Sequence, residues 1–323
     1  MDQYLETSSQ SLRLDENHIN SLSKLSLIGT SLVIDSIRKH ANELDIVKHS
    51  DILDDLGNLK TSDKNLWPQI ISQFIEDSQF IPICISDARS IDMALKPMQT
   101  LQDYQCAIIS DKVIDINRPV SARSYDCYAG IQSHYGQTHH IEENNLIRLS
   151  DIRYNHDRAE VRLRNIDIAY IDLASIRYSD NCGHPQSGSA GMTIEEACQV
   201  AQYIGASINL KGIIIGPYDA NFDRHEITAK NIALLLYYIG EGYRIRLSEI
   251  EHNTSTEYNT YTVVPDDLDE ELVFVENTTS GRWWIKHIDI ENVERLIPCS
   301  KEDYEQACSN NISDKLAQVY SLI

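Results

Sequence analysis

The sequence predicts a doubly wound α/β fold in three layers, with helices on both faces of a mostly parallel β-sheet. Two observations lead to this prediction. Short apolar runs bounded by polar turns recur between residues 25 and 242, and amphipathic stretches with helical spacing lie between them. Strands that alternate with helices in this way are typical of doubly wound proteins.

The predicted strands share near-continuous hydrophobicity. They are Leu25–Ile28, Phe80–Ile85, Gln105–Ile109, Leu146–Leu149, Ile166–Leu173 and Gly212–Ile215. Runs without alternating polar positions indicate strands that are buried on both faces, as in a parallel sheet covered by helices.

The predicted helices are Ser31–His40, Leu66–Asp77, Thr193–Gly205 and Arg224–Gly242. The third has the clearest boundaries. Thr193 and Glu196 have the spacing of a capping box, in which each side chain accepts a hydrogen bond from the other residue's backbone N–H. Gly205 is suited to end that helix.

The pattern changes after residue 250. Glu257–Val264, Glu271–Glu276 and Arg282–His287 indicate strands, and Ser300 to Asp303 has the spacing of a helix cap. We predict a polar segment over 1–20, an α/β domain over 21–250, and an antiparallel extension over 251–323. The extension holds too few apolar residues for its own core, so we expect it to pack on the same domain. Trp283 and Trp284 are adjacent, which predicts one ring facing inward and the other outward.

Composition narrows the function classes. The 323 residues include 28 Lys and Arg against 49 Asp and Glu, a net charge of −21. This balance argues against binding nucleic acid or an anionic membrane surface. The longest apolar run, Ile232 to Ile239, is too short to span a bilayer. Seven scattered cysteines without a C-x-x-C pair, and no secretory leader, predict a cytoplasmic protein.

Acidic side chains follow two of the predicted strands. Asp111 and Asp115 come after Gln105–Ile109, and Asp172 ends the next long run. Ligands of parallel sheets bind beyond the carboxyl ends of the strands, so we expect these three side chains to face one crevice. Carboxylates this close repel one another unless a positive group lies among them.

Five short motifs resemble those of the arginase-type ureohydrolases: arginase, agmatinase and formimidoylglutamase. The segment PICISDARS lies where that family has a strand ending in GGDHS, DKVIDINRP resembles DAHxDxNxP, and YIDLAS resembles SxDxD. PQSGSAGMTIEEACQVAQYIG is similar to the loop and helix that follow. The fifth motif consists of two segments, GRWW and LIPCSKEDYEQAC, which resemble the tail of a bacterial subfamily labelled formimidoylglutamase. The resemblance covers roughly residues 24–308 and matches the family in motif order.

The resemblance implies two Mn²⁺ ions that share a hydroxide, held by six side chains. At the six matching positions this chain has Arg89, Asp111, Val113, Asp115, Asp172 and Ala174. One implied metal site therefore keeps three carboxylates and has Arg89 in place of its histidine. The other site lacks its histidine and the aspartate that would bind only that metal. We expect this site to be empty, because bridging oxygens alone cannot complete the coordination shell of a first-row metal.

Other matched positions also depart from the family. We hypothesise that the Arg89 guanidinium replaces the metal as the counter-ion of Asp111, Asp115 or Asp172. Pro217 occupies the position of a glutamate that binds the substrate in the family, and Tyr128 occupies the position of a histidine that transfers protons. Asn117 matches the asparagine of the family motif, where it can hold the loop conformation.

Simpler roles stay open for the same residues. Asp111 and Asp115 can brace the strand-to-loop turn, and Asp172 can cap the next segment. Arg89 can face solvent at a helix start. A further cluster, His134, His139 and His140, is best interpreted as surface histidines.

Three functional interpretations follow. The first is a non-catalytic relative of these enzymes, without a cofactor. It would bind a small molecule or a protein partner through the crevice where the resemblance implies the metal site, or through the rim of that crevice. The alternative is a hydrolase of linear amidines that uses one Mn²⁺ at Asp111, Asp115 and Asp172. The third is that the chain is one subunit of a homo-oligomer, for which 17 tyrosines against four phenylalanines give the only indication.

Overall fold

A computed structural model of the chain describes residues 5–6, 24–30, 34–49, 51–60, 63, 65–76, 79–87, 91–101, 103–118, 126–136, 141–251, 258–265, 271–288, 294–311, 313 and 316–317. The chain divides into two compact units, Met1–Arg244 and Ile245–Ile323. Each unit is described by itself.

The first unit contains a large sheet to which the described residues contribute nine strands. They are β1 (Leu5–Glu6), β2 (Lys24–Gly29), β3 (Leu53–Leu59), β4 (Phe80–Ile85), β5 (Cys106–Ile109), β6 (Cys127–Ile131), β7 (Leu146–Arg148), β8 (Ile168–Asp172) and β9 (Gly212–Gly216). Their order is β1-β3-β2-β4-β9-β8-β5-β6-β7. Strands β2 to β9 are parallel, and β1 pairs antiparallel with β3.

Helices alternate with these strands along the chain. They are α1 (Asp35–Ala41), α2 (Trp67–Glu76), α3 (Ile91–Thr100), α4 (Leu149–Tyr154), α5 (His156–Leu163), α6 (Ile194–Gly205) and α7 (Ile227–Glu251), the last of which ends in the second unit. The three-layer α/β/α fold predicted from the sequence is confirmed. The capping box of α6 is present: Glu196 N–H donates to Thr193 Oγ1 at 3.2 Å, and Thr193 N–H donates to Glu196 Oε2 at 2.8 Å.

Strand β3 was not predicted from the sequence, because several of its residues are polar and accept hydrogen bonds from a buried arginine. The Arg38 guanidinium of α1 is fully buried. It donates to Asp55 Oδ2 at 2.9 Å, to Asn58 Oδ1 at 2.8 Å and to the Gly57 carbonyl at 2.8 Å. These acceptors interrupt the apolar run of the strand, which therefore resembles a loop in sequence. Strand β6 and helices α3, α4 and α5 were also not predicted.

The strand order places a crevice between β5 and β8. The two strands are adjacent, with Cys106 opposite Ile168 and Ile109 opposite Ile171. From this pair the chain continues outward in opposite directions, from β5 to β6 and from β8 to β9. The loops beyond the carboxyl ends therefore diverge, which leaves the crevice where doubly wound proteins bind ligands.

The second unit contains a separate antiparallel sheet, to which the described residues contribute four strands. Its elements are β10 (Tyr258–Val263), β11 (Leu272–Asn277), β12 (Trp283–Ile288), β13 (Glu294–Cys299) and α8 (Lys301–Cys308). The capping box of α8 is present, with Asp303 N–H donating to Ser300 Oγ at 3.1 Å. Strand β13 was not predicted.

The expectation that this segment lacks a core was wrong. Its buried side chains form a hydrophobic cluster: Leu272, Phe274, Trp283, Ile285, Cys299, Ala307 and Leu316. Residues from different strands and from α8 supply this cluster, so no single stretch of sequence reveals it. The unit begins at Ile245, within α7.

The two tryptophans of β12 lie on opposite faces of the strand, as predicted, but both are buried. Trp283 stacks between Tyr261 and Tyr304, with ring centroids 5.2 and 5.0 Å away. Trp284 lies on the opposite face, where the Arg282 guanidinium is 5.8 Å from its ring. Each face of the strand therefore meets packed side chains at this point.

In the part of the chain that the structure describes, no helix is both long and apolar enough to cross a membrane. All seven cysteines are free thiols, and six of them are buried.

Candidate functional site

Two buried carboxyl groups form the floor of the crevice. Asp172 ends β8, and Asp111 lies just beyond β5; they are 1% and 4% exposed. Burial raises the pKa of Asp172 to about 7, with a further contribution from the Asp111 carboxylate. An opposing hydrogen bond from Ala174 N–H to Asp172 Oδ1, 2.9 Å long, favours the charged form. Burial also raises the pKa of Asp111.

The turn after β5 is fixed by hydrogen bonds. Ser110 Oγ donates to the Lys112 carbonyl at 2.6 Å, and Gln132 N–H donates to the Asp111 carbonyl at 2.8 Å. Two buried polar atoms remain without a hydrogen-bond partner among the described residues, namely Asp111 Oδ1 and Gln132 Nε2. Buried polar atoms of this kind indicate a place where a ligand, ion or water can bind.

Lys112 is the exposed cation beside this floor. Burial is the main influence on the pKa values of Asp111, Asp172 and His184, and the Lys112 charge opposes the rise at the two carboxyl groups and adds to the fall at the imidazole. All three groups therefore lie within the electrostatic reach of Lys112. From the sequence we expected a positive charge at this crevice, but from Arg89. Arg89 lies outside the described residues, so the structure leaves that hypothesis untested.

His184 is a buried residue within electrostatic reach of Lys112 that was not identified from the sequence. It is buried, and burial lowers its pKa to about 4, with Lys112 adding to the shift. Gln186 N–H donates to His184 Nδ1 at 3.1 Å, so the neutral ring carries its proton on Nε2. The loop is held in place by Gly183, whose N–H donates to Thr228 Oγ1 at 2.8 Å. A lone histidine in a loop gave no signal in the sequence.

The loop after β5 carries two further predicted residues. Asp115 is exposed, and its Oδ1 accepts a hydrogen bond from Asn117 N–H at 2.9 Å. Asn117 has a φ of 50°, a left-handed conformation that asparagine tolerates better than most residues. The structure therefore brings Asp111 and Asp172 together on the floor, while Asp115 lies on the exposed part of the loop.

The remaining predicted positions are apolar or lie in the core. Val113 and Ala174 are buried, at 8% and 4% exposure, and Val113 belongs to the main hydrophobic cluster. Pro217 is buried directly after β9. Tyr128 lies within β6, opposite Ile108, and packs in the same cluster as Val113.

The predicted surface histidines fall partly in the described chain. His134 is exposed, in the 3₁₀ turn that follows β6. His139 and His140 lie outside the described residues.

No family model matches this sequence, and no curated protein matches it in sequence. Solved structures match its fold. Proclavaminate amidinohydrolase from Streptomyces clavuligerus superposes with a TM-score of 0.56 at 12% identity, over 73% of this chain and 96% of that one. Formiminoglutamase from Trypanosoma cruzi, solved with Mn²⁺, gives 0.55 at 13%, over 72% and 96%. Formimidoylglutamase from Bacillus subtilis gives 0.54 at 15%, over 75% and 92%.

These likenesses establish the fold. The chain has the architecture of the arginase-type ureohydrolases, and the resemblance carried by its motifs is confirmed at that level. At such low identity the likeness says nothing about activity, because one fold hosts many functions.

The donor set at the positions that the motif resemblance matches to ligands does not fit the manganese pair that the fold family implies. Val113 and Ala174, at two of those positions, have no donor atoms. Within the described ranges, no group of three or more His, Cys, Asp or Glu side chains is arranged to hold a metal ion. The crevice instead offers two buried carboxyl groups, one ammonium and one imidazole N–H, a set that can bind a small polar molecule.

Proposed function

We propose that this protein is a non-catalytic member of the arginase-type ureohydrolases that binds a small molecule in the crevice between β5 and β8. The observation that carries the proposal is the burial of Val113 and Ala174 at matched ligand positions. Both side chains are buried and lack donor atoms, so neither can serve as a metal ligand.

The chemistry of the crevice supports binding without hydrolysis. Hydrolases of this fold class need a hydroxide near neutral pH, and metal coordination is what lowers the pKa of water enough to supply it. Pro217 has no carboxylate, so it cannot bind a guanidinium group as a glutamate would. The Asp111 and Asp172 carboxyl groups, the Lys112 ammonium and the His184 Nε2–H remain available to orient a polar ligand.

The alternative is a one-metal hydrolase of linear amidines, with Mn²⁺ at Asp111, Asp115 and Asp172. One observation favours it. The buried Asp111 Oδ1 has no hydrogen-bond partner among the described residues, and a bound cation would satisfy this atom.

Metal analysis and Mn²⁺ titration separate the two functions. We expect protein purified without chelators to contain no stoichiometric metal, and its melting temperature to stay constant up to millimolar Mn²⁺. A ligand that binds only the folded state must raise that temperature. We also expect no urea, ammonia or formamide to be released from arginine, agmatine or formimidoylglutamate.

Variants make the test specific to the crevice. If Mn²⁺ stabilises the protein, and if Asp111→Asn and Asp172→Asn remove both the stabilisation and the turnover, the protein is a metal-dependent hydrolase. Asp157→Asn is the matched control, because Asp157 is an exposed carboxylate at the start of α5.

A further inference from the structure

A buried histidine lies between two carboxylates at the end of α1. The His40 side chain is 6% exposed, and its ring nitrogens contact different acids: Nδ1 lies 3.0 Å from Glu43 Oε2, and Nε2 lies 2.7 Å from Glu226 Oε2. A neutral imidazole has one N–H and one lone pair, whereas the imidazolium has two N–H groups. Both contacts are therefore hydrogen bonds only when His40 is protonated.

The charged groups around His40 come from α1, from the turn before α7 and from α7 itself. The hydrogen bond with His40 is the largest influence on the pKa values of Glu43 and Glu226, and it lowers both. Lys39 and Lys230 lower the pKa of Glu43 further, and Lys39 Nζ lies 3.3 Å from Glu226 Oε2. The two acids are ionised at neutral pH, so the proton that leaves this cluster as the pH rises between 5 and 8 is that of the histidine.

The turn to which Glu226 belongs has a strained backbone. His225 and Glu226 have φ values of 60° and 54°, in the left-handed region that disfavours a Cβ. Such conformations persist where surrounding contacts hold them. The Glu226 carboxylate accepts hydrogen bonds from His40 and Lys39, both of α1. Helix α1 therefore fastens the strained turn.

The same turn positions the start of α7 and the loop that carries His184. Thr228 and Ala229 donate their N–H groups to the buried Asp223 carboxylate at 2.8 and 2.9 Å. Thr228 Oγ1 accepts a hydrogen bond from the N–H of Gly183, the residue before His184, at 2.8 Å. The two strained residues lie between Asp223 and Thr228 in sequence, so these bonds depend on the conformation of the turn.

We propose that His40 is a protonation-dependent latch for the turn before α7. With the ring protonated, the ion pair between Nε2 and Glu226 keeps His225 and Glu226 in their left-handed conformations. Loss of the proton leaves one N–H for two carboxylates and removes the attraction between opposite charges, so the contact weakens. The turn, and with it the Gly183 bond beside His184, then opens more often as the pH rises. This behaviour does not depend on whether the protein is catalytic.

Hydrogen exchange followed by NMR at pH 5.5 and 8.5 tests the latch, with each rate divided by its intrinsic value at that pH. The reporters are the Thr228 and Ala229 amides. The Ala197 amide of α6, which donates to the Thr193 carbonyl at 3.0 Å, corrects for changes in global stability. We expect the protection of the reporters relative to Ala197 to fall about threefold to tenfold between pH 5.5 and 8.5, as the loss of one partly buried ion pair predicts.

Variants make the test specific to the histidine and its partner across the turn. His40→Gln and Glu226→Gln should each abolish this pH dependence and hold the reporters near the protection of the parent at pH 8.5, since each removes one charge and keeps a hydrogen-bonding side chain. Glu43→Gln is the matched control. Glu43 binds the same ring but belongs to the α1 segment, so this variant should keep most of the pH dependence.

Three results would overturn the latch. The first is reporter protection in the parent that does not change with pH. The second is an equal change in His40→Gln, because another group would then carry the titration. The third is loss of the change in Glu43→Gln but not in Glu226→Gln, because the ring would then act only within its own segment. If His40→Gln fails to fold, Glu226→Gln provides the same test, since the Glu226 side chain is 45% exposed.

Discussion

The carboxyl groups of Asp111 and Asp172 interact electrostatically at the carboxyl ends of two adjacent parallel strands, although 60 residues separate them in sequence. Burial raises the pKa of Asp172 to about 7, and the Asp111 carboxylate raises it further than burial alone would. In many enzymes a metal ion balances charges placed in this way. Among the described residues, Lys112 is a cation within electrostatic reach of both groups.

Asp172 should make the protein less stable as the pH rises. Its pKa is about 7 in the folded state against the ordinary aspartate value of 3.8, so folding favours the protonated form. This contribution is complete below pH 4 and is lost as the pH rises through 7. Asp172→Asn, which keeps an acceptor for Ala174 N–H, should therefore be more stable than the parent at pH 8, by on the order of 3 kcal/mol.

Urea unfolding at pH 5 and pH 8 measures this effect. The exposed Asp115→Asn provides the control and should change stability little at either pH. A difference between Asp172→Asn and the parent that does not vary with pH would contradict the assignment.

His49 should make the protein less stable as the pH falls, which is the opposite of the effect of Asp172. It is fully buried, and burial together with the Arg244 guanidinium lowers its pKa to about 4 from 6.5. The unfolded chain therefore binds a proton more readily. Stability from the neutral ring is complete above pH 6.5 and falls by about 3 kcal/mol as the pH drops through 4.

His49→Gln tests this expectation, since glutamine does not titrate. Its free energy of unfolding should depend less on pH between 4 and 6.5 than that of the parent, even though lost packing against Gly240 lowers it overall. The exposed His156→Gln should keep the pH profile of the parent.

His225 should be a site where glycine stabilises the protein. This exposed residue precedes α7 with a φ of 60° and a ψ of 22°, in the left-handed region that disfavours a Cβ. His225→Gly should raise the free energy of unfolding by about 0.5–1 kcal/mol, because relief of strain exceeds the added entropy of the unfolded chain. Thermal unfolding of His225→Gly against His225→Ala decides it, since alanine retains the strained Cβ and should give no gain.

Gly242 should tolerate no side chain. A Cβ on Gly242 of α7 would lie 2.0 Å from the Gln202 carbonyl oxygen of α6, a backbone atom that cannot turn aside. Gly242→Ala should cost about 1–3 kcal/mol or more, because the two helices must separate. Chemical denaturation measures this cost. Gly188→Ala is the matched control, where the nearest atom is 3.3 Å away, and comparable losses in both variants would refute the explanation.

The sequence by itself determined the elements whose signals are local. Strand β4 was predicted with its observed bounds, Phe80–Ile85, because a strand buried on both faces is apolar throughout. The capping boxes of α6 and α8 were recognised because each depends on residues three positions apart. The order of short motifs was enough to indicate the ureohydrolase fold.

The tertiary structure alone decided which side chains meet. Strand order follows from how helices pack across the sheet, and no local pattern records it, so the adjacency of Asp111 and Asp172 was a hypothesis until β5 and β8 were seen to pair. The same packing buries His184 in its neutral form and exposes Asp115. It also gives the second unit a core assembled from four strands and a helix, because burial is a property of the folded chain and not of any one segment.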